Sequence, residues 1–411
     1  MKINKKIFDN GLRLVHNEDT STQMVALNIV YDVGARDEHP EHTGFAHLFE
    51  HLMFGGSVHI PDYDAPLQLA GGENNAWTNN DITNYYLTVP RQNVETGFWL
   101  ESDRMLSLDF SERSLEVQRG VVMEEFKQRC LNQPYGDIGH LLRPLAYQTH
   151  PYQWPTIGKE LSHIANATLE EVKAFFFRFY APNNAILAVT GNISFEEAVA
   201  LTEKWFGSIP RREVPQRNLL QEQEQTEERR LTVERNVPLD SLFMAYHMPA
   251  HCHPDYYAFD ILSDVLSNGR SSRLNQHLVQ EKQLFSSIDA SISGSIDAGL
   301  FHISGKPSAG VSLEEAEAAV REELKILQNE AIAAQELEKV KNKFESTQIF
   351  GNINYLNVAT NLAWFELNGA AEDMEKEVER YRAVTAGQLQ TVAQTAFDKA
   401  NGVVLKIVSS E

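Results

Sequence analysis

Two stretches of this chain repeat one pattern 213 positions apart, and that duplication limits the fold more than any other feature of the sequence. Residues 25–33 (VALNIVYDV) form an apolar run of strand character; a polar loop follows, then residues 44–54 (GFAHLFEHLMF), helical in period and closed by Gly55 and Gly56. Residues 241–248 (SLFMAYHM) read as a strand, and after a loop residues 257–267 (YAFDILSDVLS) read as a helix closed by Asn268 and Gly269. Leu48, Leu52 and Met53 recur as Ile261, Val265 and Leu266, whereas His47, Glu50 and His51 become Asp260, Ser263 and Asp264. The packing positions are kept and the polar ones are not, so the polar set of the first copy belongs to chemistry rather than to the fold. The expectation is an α+β chain of two homologous α/β-sandwich domains in tandem, residues 1–212 and 230–411. A linker at 213–229 joins them, within a stretch rich in Gln, Glu and Arg. Further helices are predicted over 111–130, 168–180 (with a capping box from Thr168 to Glu171), 194–206, 312–329 and 385–400, and strands over 184–190 and 402–408.

Composition narrows the function classes. A formal charge of -21 leaves no basic surface with which to neutralise phosphates, which argues against nucleic-acid binding. There is no apolar run near the ~18 residues a membrane span requires. Cys130 and Cys252 supply neither a disulfide framework nor a metal spacing. The basic start MKINKK is not followed by the apolar core of a secretory signal, so the expected location is the cytoplasm, or the periplasm if a leader has been removed.

On a helix, residues 47, 50 and 51 fall within an arc of about 100°, so two imidazoles and one carboxylate project from one face. Imidazoles at i and i+4 suit a tetrahedral zinc ion, and Glu50 beside them is placed to take a proton from water. Phe45, Ala46, Leu48, Phe49, Leu52, Met53 and Phe54 occupy the rest of that helix, which must therefore be buried, and buried titratable groups need a partner. A catalytic zinc needs a third protein ligand. Residues 111–130 offer the adjacent carboxylates Glu124 and Glu125; Glu125 is favoured, with Gln118 two turns earlier on its face as a hydrogen-bond support for a ligating ring. His251, Cys252 and His253 resemble a second cluster, but ligands two apart in a loop seldom aim at one ion, and they are read as incidental.

His47-Leu48-Phe49-Glu50-His51, in the context 44–54, resembles the inverted zinc motif of the pitrilysin and insulinase peptidases. The similarity extends to Asn75-Ala76-Trp77-Thr78 with Asp81, Thr83 and Tyr85, and to residues 119–125 (RGVVMEE), and it covers nearly the whole chain. It resembles one subunit of the short branch that includes the mitochondrial processing peptidases and bacterial relatives. What the resemblance implies is a zinc metalloendopeptidase with one Zn2+ per chain. His47, His51 and Glu125 would be its ligands, Glu50 its base, and Gln118 and Glu124 would support the ligands. Such enzymes act on short or unfolded peptides, which add as a strand to a sheet edge in an enclosed chamber. Asn75, Ala76, Trp77 and Thr78 would line that edge, although by themselves they read as a surface turn. Two departures stand out. Gln118 replaces a glutamate common in the family, and the Arg and Tyr that grip substrate from the second domain are missing, since residues 280–287 read QEKQLFSS. The implied partner is a same-fold subunit carrying that Arg/Tyr pair, in a heterodimer, with a homodimer as second choice. The alternative is a non-catalytic zinc-binding assembly subunit of the same fold.

Overall fold

The computed structural model describes residues 1–410 and shows two compact units, each built on one mixed sheet. The strands are β1 (Asn4–Ile7), β2 (Arg13–Glu18), β3 (Met24–Tyr31), β4 (Glu73–Thr78), β5 (Thr83–Pro90), β6 (Ala185–Gly191), β7 (Arg229–Arg235), β8 (Ser241–Met248), β9 (Phe285–Ile292), β10 (Gly299–Pro307) and β11 (Gly402–Ser409). The first sheet has the order β1-β2-β6-β3-β5-β4 and the second β7-β11-β8-β10-β9. Each contains one parallel pair, β2 with β6 and β7 with β11, followed by antiparallel neighbours out to the far edge. Without β1 the first sheet is the second, so the duplication seen in the sequence is a duplication of topology.

The predicted helices form close to their expected limits, as Glu112–Phe126, Leu169–Phe179, Phe195–Phe206, Leu313–Asn329 and Ala386–Ala396. Thr168 and Glu171 make the reciprocal capping box that their spacing predicts. The helix Glu112–Phe126 runs on into a π turn at Lys127–Leu131. In the first unit Phe45, Leu48, Phe98, Val172, Phe176 and Phe206 from the helices pack with Leu27, Ile29, Leu187 and Val189 of the sheet in one core.

The units interleave along the chain, whereas the duplication alone suggests contiguous halves. The first comprises Met1–Gln128, Trp154–Leu220 and Ile349–Lys376; the second comprises Arg129–Gln153, Gln221–Gln348 and Glu377–Glu411. The helix Tyr355–Leu367 thus belongs to the first unit, where Thr360 Oγ1 donates to Asn28 Oδ1 of β3 at 3.2 Å. Asn28 points away from the side taken by Leu27 and Ile29, so this helix covers the other sheet face. In the second unit the helix Ile138–Ala146 places Leu142 and Ala146 against Ala245, Leu300, Val403 and Leu405. A strand buried on both faces has no solvent-facing side, which is why β3 and β6 are apolar except at Asn28 and Thr190, whose polar atoms bond to the covering helix.

The polar stretch read as a linker is pinned down. Arg212 donates to Tyr180 O at 2.7 Å and Arg217 Nη1 to Asp32 Oδ2 at 2.7 Å, both within the first unit. In the second unit Glu222 accepts the backbone amides of Gln148 and Thr149 at 2.9 and 2.8 Å. Among the described residues no helix is long and apolar enough to cross a membrane.

Candidate metal centre

The motif helix is Phe45–Leu52. Its apolar residues drive it into the core of the first unit, where Phe49 stacks on Phe175 and Tyr180 with centroids 5.1 and 5.2 Å away. Burying that face leaves His47, Glu50 and His51 on the remaining arc. The imidazoles of His47 and His51 stand edge to face, centroids 4.9 Å apart at 88°. His47 is 7% exposed, a depth at which a polar ring needs a bonded partner.

The helix Glu112–Phe126 crosses beside it and brings Glu125 to both rings. Glu125 Oε2 lies 3.4 Å from His47 Nε2 and 3.3 Å from His51 Nε2. Among the described residues these three form the one group of His, Cys, Asp and Glu side chains able to hold a metal ion, with ligand atoms within 4.8 Å of one another. The spacing fits zinc, because two ligands each about 2.05 Å from a tetrahedral ion are about 3.3 Å apart. Three ligands, two of them nitrogen, with one vertex left over, is the donor set of a catalytic zinc rather than a closed structural one.

The neighbouring carboxylate behaves differently. Glu124 turns to solvent, its side chain 56% exposed, and pairs with Lys127 at 3.4 Å, so the structure places it away from the imidazoles instead of in the supporting position expected of it. A residue adjacent to a helical ligand points about 100° away from it. Gln118 packs beside the glycine pair that ends the motif helix, its Nε2 3.5 Å from where a side chain on Gly55 would begin. Arg119 ties the ligand helix down by donating to Ala165 O and Ala167 O, both at 3.1 Å.

Asn75, Ala76, Trp77 and Thr78 are not a turn. They lie in β4, the edge strand of the first sheet, paired on one side only, with Ala76 opposite Tyr85 and Trp77 opposite Asn84. The polar residues that follow knit this edge to the core. Asp81 pairs with buried Arg36 at 3.2 Å, and Thr83 Oγ1 donates to Val33 O at 3.0 Å. The Tyr85 hydroxyl donates to Phe49 O, the carbonyl just before Glu50, at 3.2 Å. Burial raises the phenol pKa values of Tyr85 and Tyr180, and the Glu50 charge adds to the rise, so both stay neutral near that carboxylate. Behind Tyr85 lies Arg104, 1% exposed, over the rings of Tyr85, Tyr63 and Phe54 at 4.4, 4.5 and 5.3 Å, with Glu101 Oε2 2.9 Å from its Nε. The motif gives no hint of Arg104 or of Glu38, which contacts the start of the motif helix; both act through the tertiary fold.

Among the described residues the second copy of the helix, Tyr256–Ser267, takes part in no such group. Tyr381 donates to Asp260, and Asn268 Nδ2 to Asp264 Oδ1 at 2.6 Å. In the loop of His251 and His253, the His253 ring is engaged locally, its Nδ1 accepting from Asp255 N at 3.1 Å.

The duplicated α+β sandwich with a His-His-Glu centre in one copy defines a class of proteins with one metal-capable domain and one without. The comparisons agree with that division. Residues 13–158 match the family model described as Insulinase (Peptidase family M16), and residues 166–344 match that of the Peptidase M16 inactive domain. The chain is 31% identical over 339 residues to the zinc protease PqqE of Helicobacter pylori, a match covering 81% of this chain and 76% of that protein. It is 27% identical to the uncharacterized zinc protease YmxG of Bacillus subtilis, covering 82% of this chain and 81% of the relative. The crystal structure of a protease from Helicobacter pylori superposes with a TM-score of 0.94 at 27% identity over 99% of both chains. The chain belongs to the insulinase family of peptidases, family M16.

Proposed function

We propose that this chain is a zinc-dependent endopeptidase. The observation that carries the reading is the convergence of His47 Nε2, His51 Nε2 and Glu125 Oε2 from two helices, with Glu50 on the same arc of the motif helix. Those three atoms would hold the ion, and the names of the related zinc proteases support zinc as the metal. When bound, zinc supplies a fixed positive charge that makes water easier to deprotonate and polarises the scissile carbonyl. Glu50 takes the proton from the attacking water; the water oxygen adds to the carbonyl carbon, the C–N bond breaks, and Glu50 returns the proton to the departing nitrogen. His47 and His51 would serve as ligands through their Nε2 atoms rather than as proton carriers.

The open edge of β4 suits a substrate bound in extended form. The main-chain groups along its outer side would add the peptide as a seventh strand, with Asn75, Ala76, Trp77 and Thr78 along it and the Ala76 amide exchanging its bond to Asn75 Oδ1 for one to the peptide. Such main-chain bonding tolerates varied sequences. Short or unfolded peptides meet that requirement because their backbones are free to pair. The missing Arg/Tyr pair supports a same-fold partner that completes the grip on the substrate. The test is metal analysis of the purified chain followed by a peptide digest, alone and with a candidate partner. Stoichiometric zinc with cleavage supports the reading; a zinc-loaded chain that cleaves nothing in either arm overturns it in favour of a zinc-binding assembly subunit.

A further inference from the structure

The helix that carries His47, Glu50 and His51 cannot cap itself. It starts at Gly44, which has no side chain to accept from the first-turn amides. Sterics require glycine there: φ is +89°, and a Cβ would stand 2.7 Å from Ile164 Cδ1 and 2.9 Å from Ile157 O. The acceptor comes instead from six residues upstream. Glu38, 7% exposed, takes the Gly44 amide on Oε2 at 2.9 Å and the Ala46 amide on Oε1 at 2.8 Å. Its neighbour Asp37 turns to other partners, accepting from Arg217 Nε at 2.6 Å and from Gly34 N at 3.0 Å. The short turn Ala35–Asp37 thus sends one carboxyl side chain to a guanidinium and the next to the first-turn amides of the motif helix.

Two oxygens on two amides fix the first turn in rotation as well as along its axis. His47 is the residue immediately after Ala46, so any rotation of that turn moves its ring directly. The helix has only eight residues, too few to hold its own geometry, and a metal site tolerates displacements of only about 0.5 Å.

We propose that Glu38 is a positioning residue for the metal centre, its two-pronged cap fixing where His47 Nε2 and His51 Nε2 stand against Glu125. This rests on the metal reading above. The experiment measures Zn2+ affinity, by competition with a chromophoric chelator, and the visible spectrum of the Co2+-loaded protein, for the wild type, Glu38→Gln and Glu38→Asp. Glu38→Gln keeps one acceptor but turns an NH2 group toward the other amide. It is expected to bind Zn2+ at least about tenfold more weakly and to shift the Co2+ bands, with helical circular dichroism retained. Glu38→Asp keeps two carboxyl oxygens on a shorter arm and recovers part of the affinity. Wild-type affinity together with an unchanged Co2+ spectrum in Glu38→Gln overturns the proposal even if the melting temperature falls, because a merely structural cap lowers stability alone. Should Glu38→Gln fail to fold, Glu38→Asp decides by the same two readings. Failure of the metal reading looks different: the wild type then binds neither ion, or His47→Ala binds them equally well, and the positioning role falls with it.

Discussion

At the scale of single residues, the centre depends on the division of labour between neighbours on one helix. His47 and His51 meet Glu125, and the proposed mechanism gives proton transfer to Glu50, one residue from His51, so Glu50→Gln should keep the metal and lose turnover by at least a hundredfold or so. Metal content and kcat measured on one preparation check this, and retained turnover removes Glu50 as the base. Tyr85→Phe isolates a subtler effect, because it deletes only the hydroxyl that holds Phe49 O. A loss of about 1 kcal/mol in denaturant unfolding is expected. These two positions differ in how legible they are. The motif shows Glu50 by its spacing, since i, i+3 and i+4 on a helix share a face whatever surrounds them. It also leaves Glu124 and Glu125 side by side, and only the packing of their helix turns one to the imidazoles and the other to Lys127.

At the scale of elements, β4 and the charged seam of the second sheet carry separate expectations. If peptides pair with the β4 edge, N-methylation of alternate peptide amides should raise KM by about three- to tenfold per lost hydrogen bond, while methylation in the other register has little effect. Equal KM values in both registers would argue against strand addition. In the second unit, burial pushes the Glu317 carboxyl up, but hydrogen bonds from Arg230, Lys406 and Arg321 outweigh it and hold its pKa at about 2. A pKa depressed on folding stabilises the native state above the ordinary value of 4.5, and that contribution fades as pH falls from there toward 2. Glu317→Gln should therefore cost about 2 kcal/mol at neutral pH and flatten the acid side of the stability profile, as urea melts at several pH values would reveal. The stretch at 75–78 shows where reading by composition ends. Asn-rich segments favour turns, yet pairing with β5 extends this one into a strand, which a local propensity does not encode.

At the scale of the whole chain, the interleaving of the two units makes the halves interdependent. A chain ending at residue 212 lacks the helix Tyr355–Leu367 and leaves a face of β2, β3 and β6 uncovered, so it should bind hydrophobic dyes and lack a cooperative thermal transition. A sharp melt from that fragment would show that the exchanged helix is dispensable. The sequence by itself determined the duplication, the α+β class, the helix bearing His47, Glu50 and His51, and the helical stretch that carries Glu124 and Glu125. All of these are periodic or local patterns, fixed by backbone geometry within a few turns. Only the tertiary structure decided that Glu125 meets both rings, that residues 75–78 form an open edge, that Glu38 caps a helix six residues away, and that each sheet is covered by a helix from the other half. Those are contacts between segments distant in the chain, and the hydrophobic burial that selects them acts on shape and area without leaving a period in the sequence.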